Sequence, residues 1–252
     1  MKGYGTLPKL IRMRSRGQIT IPQELREALK KENTLILKED EKQTMLEVVQ
    51  KMSYFFWGPT LEQCQQMRQV PFWLPIEKGL LLLDPPADEV FTEIQTILNH
   101  YSTAQALFDG LEEEYVRLFI SDRQGLQAPL YASCYVAAEP GERAPLMGEP
   151  ALAMQDRFRS QGLSLADDMR EPPDHLSIEL EYLYFLLRKG WADDDNQLVK
   201  EASSFAAAIM LPWVMMLQQA LAEIETAGRF YPLITALLGE VLKLIGGLNR
   251  WP

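Results

Sequence analysis

The stretch Glu171-Pro172-Pro173-Asp174-His175-Leu176-Ser177-Ile178-Glu179-Leu180-Glu181-Tyr182-Leu183 joins a helix-start signal to the densest set of candidate site residues in the chain. Adjacent prolines have fixed φ, lack N–H donors and are tolerated only around the first helical turn, so a helix is predicted to begin here. Asp174 falls at or just inside that start, where a carboxylate can accept orphan N–H groups and meets the positive end of the helix macrodipole. A protonated His175 would be disfavoured at the same end, so a neutral imidazole is expected. Leu176, Leu180, Leu183 and Leu187 fall at i, i+4, i+7 and i+11, one apolar stripe facing a core. Asp174 and His175 are then left at its rim. On the residues alone the stretch reads as a capped helix with a surface histidine, or as the edge of a binding site.

Helical signals continue outward in both directions. Upstream, Asp84-Pro85-Pro86-Ala87-Asp88-Glu89 is a break and a helix start, followed by Val90, Phe91, Ile94, Ile97 and Leu98 at helical spacing. Ala104, Leu107, Phe108, Leu111, Tyr115, Leu118 and Phe119 mark another amphipathic helix. Residues 121–128 read as a loop and 136–150, rich in Pro and Gly, as a long connection. Ala151 to Gly162 is predicted helical, with Gly162 as its stop. Downstream, Asp193-Asp194-Asp195-Asn196 supplies an N-cap for a long helix from about Gln197 to Thr226, which Pro212 should kink, and a last helix runs from about Phe230 to Ile245.

With 252 residues, 47% hydrophobic and 24% charged, the chain can bury a sizeable core as one large domain or two smaller ones. Its net charge of −10 is uneven: residues 1–50 hold ten Lys/Arg against seven Asp/Glu, which leaves −13 for residues 51–252 and suggests two units with different partners. Lys2, Lys9, Arg12, Arg14 and Arg16 interrupt the start, so no secretory signal is read there and a cytoplasmic location is expected. The longest apolar run, Phe205 to Leu217, contains Pro212 and is too short to span a bilayer, so no membrane insertion is expected. Cys64 and Cys134 are isolated thiols and His100 and His175 are the only histidines, so neither a disulfide framework nor a metal centre is indicated. GxxxxGK[ST] and GxGxxG are absent, and no cofactor is expected. Ser177 near His175 and Asp174 is not a catalytic constellation, because helix neighbours at i, i+1 do not face each other; no enzymatic activity is expected. Glu112, Glu113 and Glu114 read as a solvated face.

The string from Glu171 to Leu183 resembles the signature of the TorD/DmsD/NarJ family, cytoplasmic chaperones that mature molybdenum-dependent redox enzymes. Leu111 to Phe119 is similar to that family's earlier helix, with its aromatic and Leu-Phe pair, and Pro129, Ser133 and Tyr135 resemble the Pro and Ser-x-aromatic positions that follow. The similarity runs from about residue 60 to the end. The chain departs from the family in residues 121–128, which lack its frequent Gly-Pro, and at Ile209, which stands where a histidine often precedes the tryptophan, here Trp213. The resemblance implies an all-helical bundle and a chaperone that binds the twin-arginine leader and apo-form of a molybdoenzyme catalytic subunit before cofactor insertion and export. A receptor for a basic, partly apolar leader needs carboxylates beside an adaptable apolar groove. The candidates for client binding are Tyr115, Leu118, Phe119, Pro129, Tyr131, Ser133, Tyr135, Asp174, His175 and Glu179, with Trp213, Met215 and Met216 as further apolar positions. Ordinary core is the other reading of the Met and aromatic positions.

Residues 10–50 read as short strands around one short helix: Ile19-Thr20-Ile21, a helical Gln23 to Leu29, then Leu35-Ile36-Leu37 and Met45 to Val49 flanking the polar turn Glu39 to Gln43 as a hairpin. A unit of this size needs oligomerisation or a partner domain. Arg14 to Leu29 resembles the AbrB/MazE/SpoVT swapped-hairpin family, whose two chains interlace into a dimeric DNA-binding barrel, although Glu32-Asn33 replaces the family's Gly-Asp. That resemblance implies a homodimer and makes Arg12, Arg14, Arg16 and Arg26 candidate DNA contacts; a solvated basic face on a dimerisation module is the other reading. The expected architecture is mainly α: an AbrB-like, β-rich swapped-hairpin module over residues 1–50 and a TorD-like all-helical domain over 51–252. The competing function is a DNA-binding transcriptional regulator whose bundle senses a ligand or client.

Overall fold

A computed structural model describes residues 12–13, 19–20, 37–83, 86–120, 127–136, 147–224 and 228–248, the first two segments as backbone only. Helix α1, Glu39–Phe56, starts where Glu39, Asp40 and Glu41 put negative charge on the first turn, and the Lys38 N–H donates to the Glu41 carboxylate at 2.7 Å. Met45, Val48, Val49, Met52, Phe55 and Phe56 are buried along it at i, i+3, i+4, i+7, i+10 and i+11. This overturns the hairpin expected over Leu35 to Val49. Read together with Met52, Phe55 and Phe56, the apolar positions of Met45 to Val49 follow the 3.6-residue period, and the acidic residues before them are a first helical turn. The division expected at residue 50 falls inside α1, and the helical unit already includes buried Leu37.

Among the described residues the paired strands are β1, Arg12–Met13, and β2, Ile19–Thr20, two residues each and antiparallel with Arg12 opposite Thr20. The β-rich module is therefore not supported. The rest of residues 1–36, with Arg14, Arg16 and Arg26, lies outside the described residues, as does the side chain of Arg12.

Helices α2, Leu61–Met67, and α3, Val70–Leu80, follow Gly58-Pro59; Thr60 and Gln63 form a reciprocal capping box at the start of α2. α4, Pro86–His100, buries Phe91, Ile94 and Leu98 of the predicted stripe, leaves Val90 and Ile97 half-buried, and buries Ala87 as well. α5, Ala104–Tyr115, is capped by Thr103 and continues as a π-helical segment, Val116–Ile120. After a 3₁₀ turn, Ala132–Cys134, come α6, Glu149–Ser160, with Gly162 at φ +68° just beyond it, and α7, Leu176–Ala192. Asp195 caps α8, Asn196–Ser204, by accepting the N–H groups of Gln197 and Leu198. α8 runs through a second π-helical segment, Phe205–Met210, into α9, Leu211–Glu223, and α10 spans Phe230–Gly247.

The kink expected at Pro212 takes the form of that wider turn. The Leu211 N–H donates to Ala206 O, an i→i−5 bond made one residue before a proline that has no N–H and whose ring would crowd the carbonyl four residues back. The predicted stripe Leu176, Leu180, Leu183, Leu187 is buried, and so are Ile178, Tyr182 and Leu186, because α7 is packed between α1 and α8. By length and composition Asn196–Glu223 and Phe230–Gly247 could each cross a membrane. In the fold both bury core residues, among them Trp213, Leu217, Ile234 and Leu238.

Glu114 corrects the reading of residues 112–114 as a solvated face. It is buried, and its Oε1 accepts the Tyr231 N–H at 3.0 Å, an orphan donor in the first turn of α10. Burial pushes its carboxyl up, while the N–H donors of Tyr231 and Phe230 and the charge of Arg117 pull the other way.

Candidate functional site

The loop 128–135 lies antiparallel to the turn before α7. The Leu176 N–H, another orphan donor, reaches Leu130 O at 2.8 Å, the Ala132 N–H reaches Asp174 O at 3.1 Å, and Tyr131 and His175 form an isolated bridge. Pro172 O accepts the His175 N–H at 3.0 Å, closing a turn with Pro173 in its second position, where a fixed φ is favourable. The two prolines thus build a turn ahead of the helix, and α7 starts at Leu176.

Within this frame Asp174 and His175 exchange the roles expected of them. Asp174 is fully buried, its Oδ2 accepting the Ser133 N–H at 2.8 Å and the Ser133 hydroxyl as well. The cap is His175, whose Nδ1 accepts the Ser177 N–H at 3.2 Å. A ring nitrogen that accepts carries no proton, and burial pushes the imidazole down to about 4 against the neighbouring charges of Glu171 and Asp174. The neutral ring agrees with the sequence; the exposed rim does not, since His175 is 3% exposed. Burial follows from the loop, a partner that no local pattern reveals.

His175 is the middle of a row of three rings. Trp57 stacks on it at 5.0 Å between centroids and 16° between planes, and Tyr131 meets it edge-on at 5.3 Å and 69°. Each outer ring donates to a carboxylate: Trp57 Nε1–H to Glu181 Oε1 at 2.8 Å and Tyr131 O–H to Glu171 Oε2 at 2.7 Å. Burial and the bond to Glu171 push the Tyr131 phenol up, so it stays a donor. Ser53 on α1 and Trp57 at its C-terminal cap, one turn apart, face Ser177 and Glu181, one turn apart on α7. The two serine hydroxyls donate to each other's backbone carbonyls at 3.2 and 3.0 Å, which brings the helices together and gives Ser177 a structural place. Gly58, directly after Trp57, has φ +92°, and a Cβ there would approach the Tyr115 ring to 3.3 Å. Gly58→Ala is therefore expected to cost about 1–2 kcal/mol, measured as a shift of the urea midpoint; an unshifted midpoint would contradict this left-handed turn.

A second cluster lies behind Asp174. Glu179 is fully buried, its Oε2 accepts Trp213 Nε1–H at 3.0 Å, and Tyr135 stacks on Trp213 at 5.8 Å. Burial pushes the Glu179 carboxyl up to about 8; the indole donor and Arg157 oppose the shift and the Asp174 charge adds to it. Asp174 Oδ1, Glu179 Oε1 and Tyr135 Oη are buried without a hydrogen-bond partner among the described residues.

The structure thus brings Tyr131, Ser133, Asp174 and His175 together, and Tyr135 and Glu179 around Trp213. Pro129 is half-buried beside them in the chain. Tyr115 is half-buried and donates its hydroxyl to Phe56 O at 3.0 Å. Leu118 and Phe119 do not line a groove: both are core, the Phe119 ring meeting Phe56, Tyr115 and Tyr231. Met215 and Met216 are exposed, at 48% and 47%, whereas Trp213 is buried. Sequence reasoning missed Trp57, Glu171 and Glu181. The available signal was Trp57-Gly58-Pro59, an aromatic residue at a helix end before a turn, together with Glu181 one turn after Ser177. Among the described residues no group of three or more His, Cys, Asp or Glu is placed to hold a metal ion.

The family described as nitrate reductase delta subunit matches residues 82–218, more than half of the 252-residue chain. The chaperone protein TorD of Vibrio atlanticus (strain LGP32) is 29% identical over 152 residues, covering 58% of this chain and 67% of its own length. The TorD of Ferrimonas balearica is 32% identical over 152 residues, covering 57% and 67%, and that of Psychrobacter sp. (strain PRwf-1) 29% over 150 residues, covering 58% and 65%. The chain thus spans about two thirds of the length of these relatives. A crystal structure from Archaeoglobus fulgidus described as a redox enzyme maturation protein aligns with a TM-score of 0.47 at 20% identity, over 84% of this chain and 99% of that one. On the extent of the family match, the chain belongs to the nitrate reductase delta subunit family, that of the TorD-like redox enzyme maturation chaperones.

Proposed function

We propose that this protein is a cytoplasmic, non-enzymatic chaperone that holds the apo-form of a molybdenum-dependent redox enzyme's catalytic subunit, with its twin-arginine leader, until the cofactor is inserted. The observation that carries the placement of the client site is the locked junction of loop 128–135 with the turn 171–175 at the end of α1. Backbone bonds, the Asp174–Ser133 pair and the His175 cap hold it, so half-buried Trp57, Tyr131 and Tyr135 are presented beside Glu171 and Glu181 with little ordering left to do on binding. Ile209, Pro212, Met215 and Met216, at helical spacing, leave an exposed apolar face on the helix that carries Trp213, suited to a client segment of variable sequence.

The regulator reading rests on Arg12, Arg14, Arg16 and Arg26 and on a homodimer, and neither the described residues nor the similar proteins support it. The test is affinity capture of the tagged full chain from its native cell, grown so that its redox enzymes are expressed. The apo catalytic subunit of a molybdoenzyme should be retained and displaced by excess leader peptide. A chain recovered without any redox-enzyme subunit would remove this reading.

A further inference from the structure

We infer that the adjacent pair Met215 and Met216 is a reversible oxidation site: a hydroperoxide that converts both thioethers to sulfoxides turns the apolar outer face of α9 polar and loosens its hold on an apolar ligand. This rests on the reading of that face as a client surface and adds its control. Ile209, Pro212, Met215 and Met216 are exposed at helical spacing, so the two methionines flank one line of apolar residues. Met45, Met52, Met67, Met154 and Met210 are instead buried in the core. Met147 is also exposed, but it lies on a different element, just before α6.

In the forward step a sulfur lone pair attacks the peroxide: the O–O bond breaks, an S–O bond forms, and the hydroperoxide, reduced by two electrons, leaves as the alcohol or, from hydrogen peroxide, as water. In the reverse step two thiols of a reductase supply two electrons, becoming a disulfide, and the oxygen leaves as water. The chain's cysteines compete poorly. Burial pushes the Cys64 thiol up to about 11 and the Cys134 thiol upward too, the latter with help from the charge of Asp174, so neither readily offers a thiolate. Oxidation also acts on the surface without opening the core. Met210, Trp213, Val214 and Leu217 hold the inward side of the helix and are buried, whereas Met215 and Met216 lie outside that packing. A sulfoxide oxygen is hydrated in the free protein and has to shed that water, unpartnered, against an apolar ligand. Of the four residues on the line, only Ile209 and Pro212 then remain apolar.

The experiment treats the full chain with dilute hydrogen peroxide and maps its peptides by mass spectrometry. Met215 and Met216 should each gain one oxygen well before the core methionines, which should react only in urea. Binding is read with the apolar dye bis-anilinonaphthalene sulfonate and, in parallel, by capture of the apo-subunit. The oxidised protein, with an unchanged circular dichroism spectrum, should bind the dye about ten-fold more weakly. The two methionine sulfoxide reductases, one for each sulfoxide epimer, should restore the affinity. The double variant Met215→Gln, Met216→Gln should bind weakly without peroxide. Met215→Leu, Met216→Leu, which retains Met147, should keep its own starting affinity through the same treatment. Core methionines that oxidise as fast as the pair, an oxidised protein that binds as the reduced one does, or a leucine variant that loses as much affinity as the wild type overturns the assignment. If the reduced chain captures the apo-subunit and peroxide alters neither dye binding nor capture, the switch falls and the chaperone reading stands; if oxidation weakens dye binding but the reduced chain captures no redox-enzyme subunit, the switch stands and the chaperone reading falls.

Discussion

Between pH 6.5 and 8 the protein is expected to lose about 2 kcal/mol of stability through Glu179, and Glu179→Gln is expected to remove that loss. The folded carboxyl is pushed up to about 8 from an ordinary 4.5. Between those values the folded chain keeps a proton that the unfolded chain has released, so the contribution is complete below 4.5 and is lost as the pH rises through 8. His175 has the opposite sign. Its imidazole is pushed down from 6.5 to about 4, so its contribution is present above 6.5 and is lost as the pH falls through 4. From 4.5 to 6.5 the two slopes oppose each other, and above 6.5 only Glu179 of this pair still titrates. Glu114, also pushed up by burial, tilts wild type and variant alike, so their difference isolates Glu179. Glutamine retains the acceptor for Trp213 Nε1–H and mimics the protonated acid. Urea midpoints taken from pH 5.5 to 8.5 give the answer: parallel curves for the two proteins above pH 6.5 would mean that another group is responsible.

Phe119→Ala should be the more damaging substitution, costing about 3–5 kcal/mol. The ring is 2% exposed and meets Tyr115 and Tyr231 at 5.2 Å each and Phe56 at 6.4 Å, so its removal opens a cavity where α1, α5 and α10 converge. Phe119→Leu, which refills most of the space, should cost much less. The measurement is the denaturant midpoint, followed by circular dichroism before any binding assay. A Phe119→Ala protein as stable as the wild type would contradict the buried aromatic cluster. Reduced client binding in this variant would report on folding, whereas changes at Glu171 and Glu181 bear on the surface itself.

What was legible in the sequence divides along a physical line. The helices from Pro86 onward, the Asp195 cap and the Leu176 to Leu187 stripe depend on partners within a turn or on periodicity, and sequence shows both. The neutral state of His175 was readable for the same reason, since the helix start alone disfavours its proton. Its burial was not, because Ser133, which holds Asp174, lies 41 residues away. Glu114 looked solvated until Tyr231, 117 residues on, was placed above it, and the partner of Trp57, Glu181, lies 124 residues on. The error at α1 was of another kind. A five-residue window over Met45 to Val49 fits a strand, and the helical period emerges only when the window reaches Phe56.

The π-helical segment ahead of Pro212 also acts as a phase corrector. Leu198, Ala202, Ala206, Met210 and Val214 are buried at strict four-residue intervals. At about 100° per residue an unbroken α-helix would let such a series slip by about 40° at every step, and by its end the buried edge would face nearly the wrong way. The wider turn absorbs the slip, so both halves of the helix keep the same side inward. Removing one residue between 205 and 210 would restore uniform winding and swing Trp213, with everything after it, about 100° off the Glu179 carboxylate. The length of this helix is accordingly held more tightly than its composition: a change of one apolar residue for another alters the packing locally, while a change of one in the count would dismantle the wall behind the site.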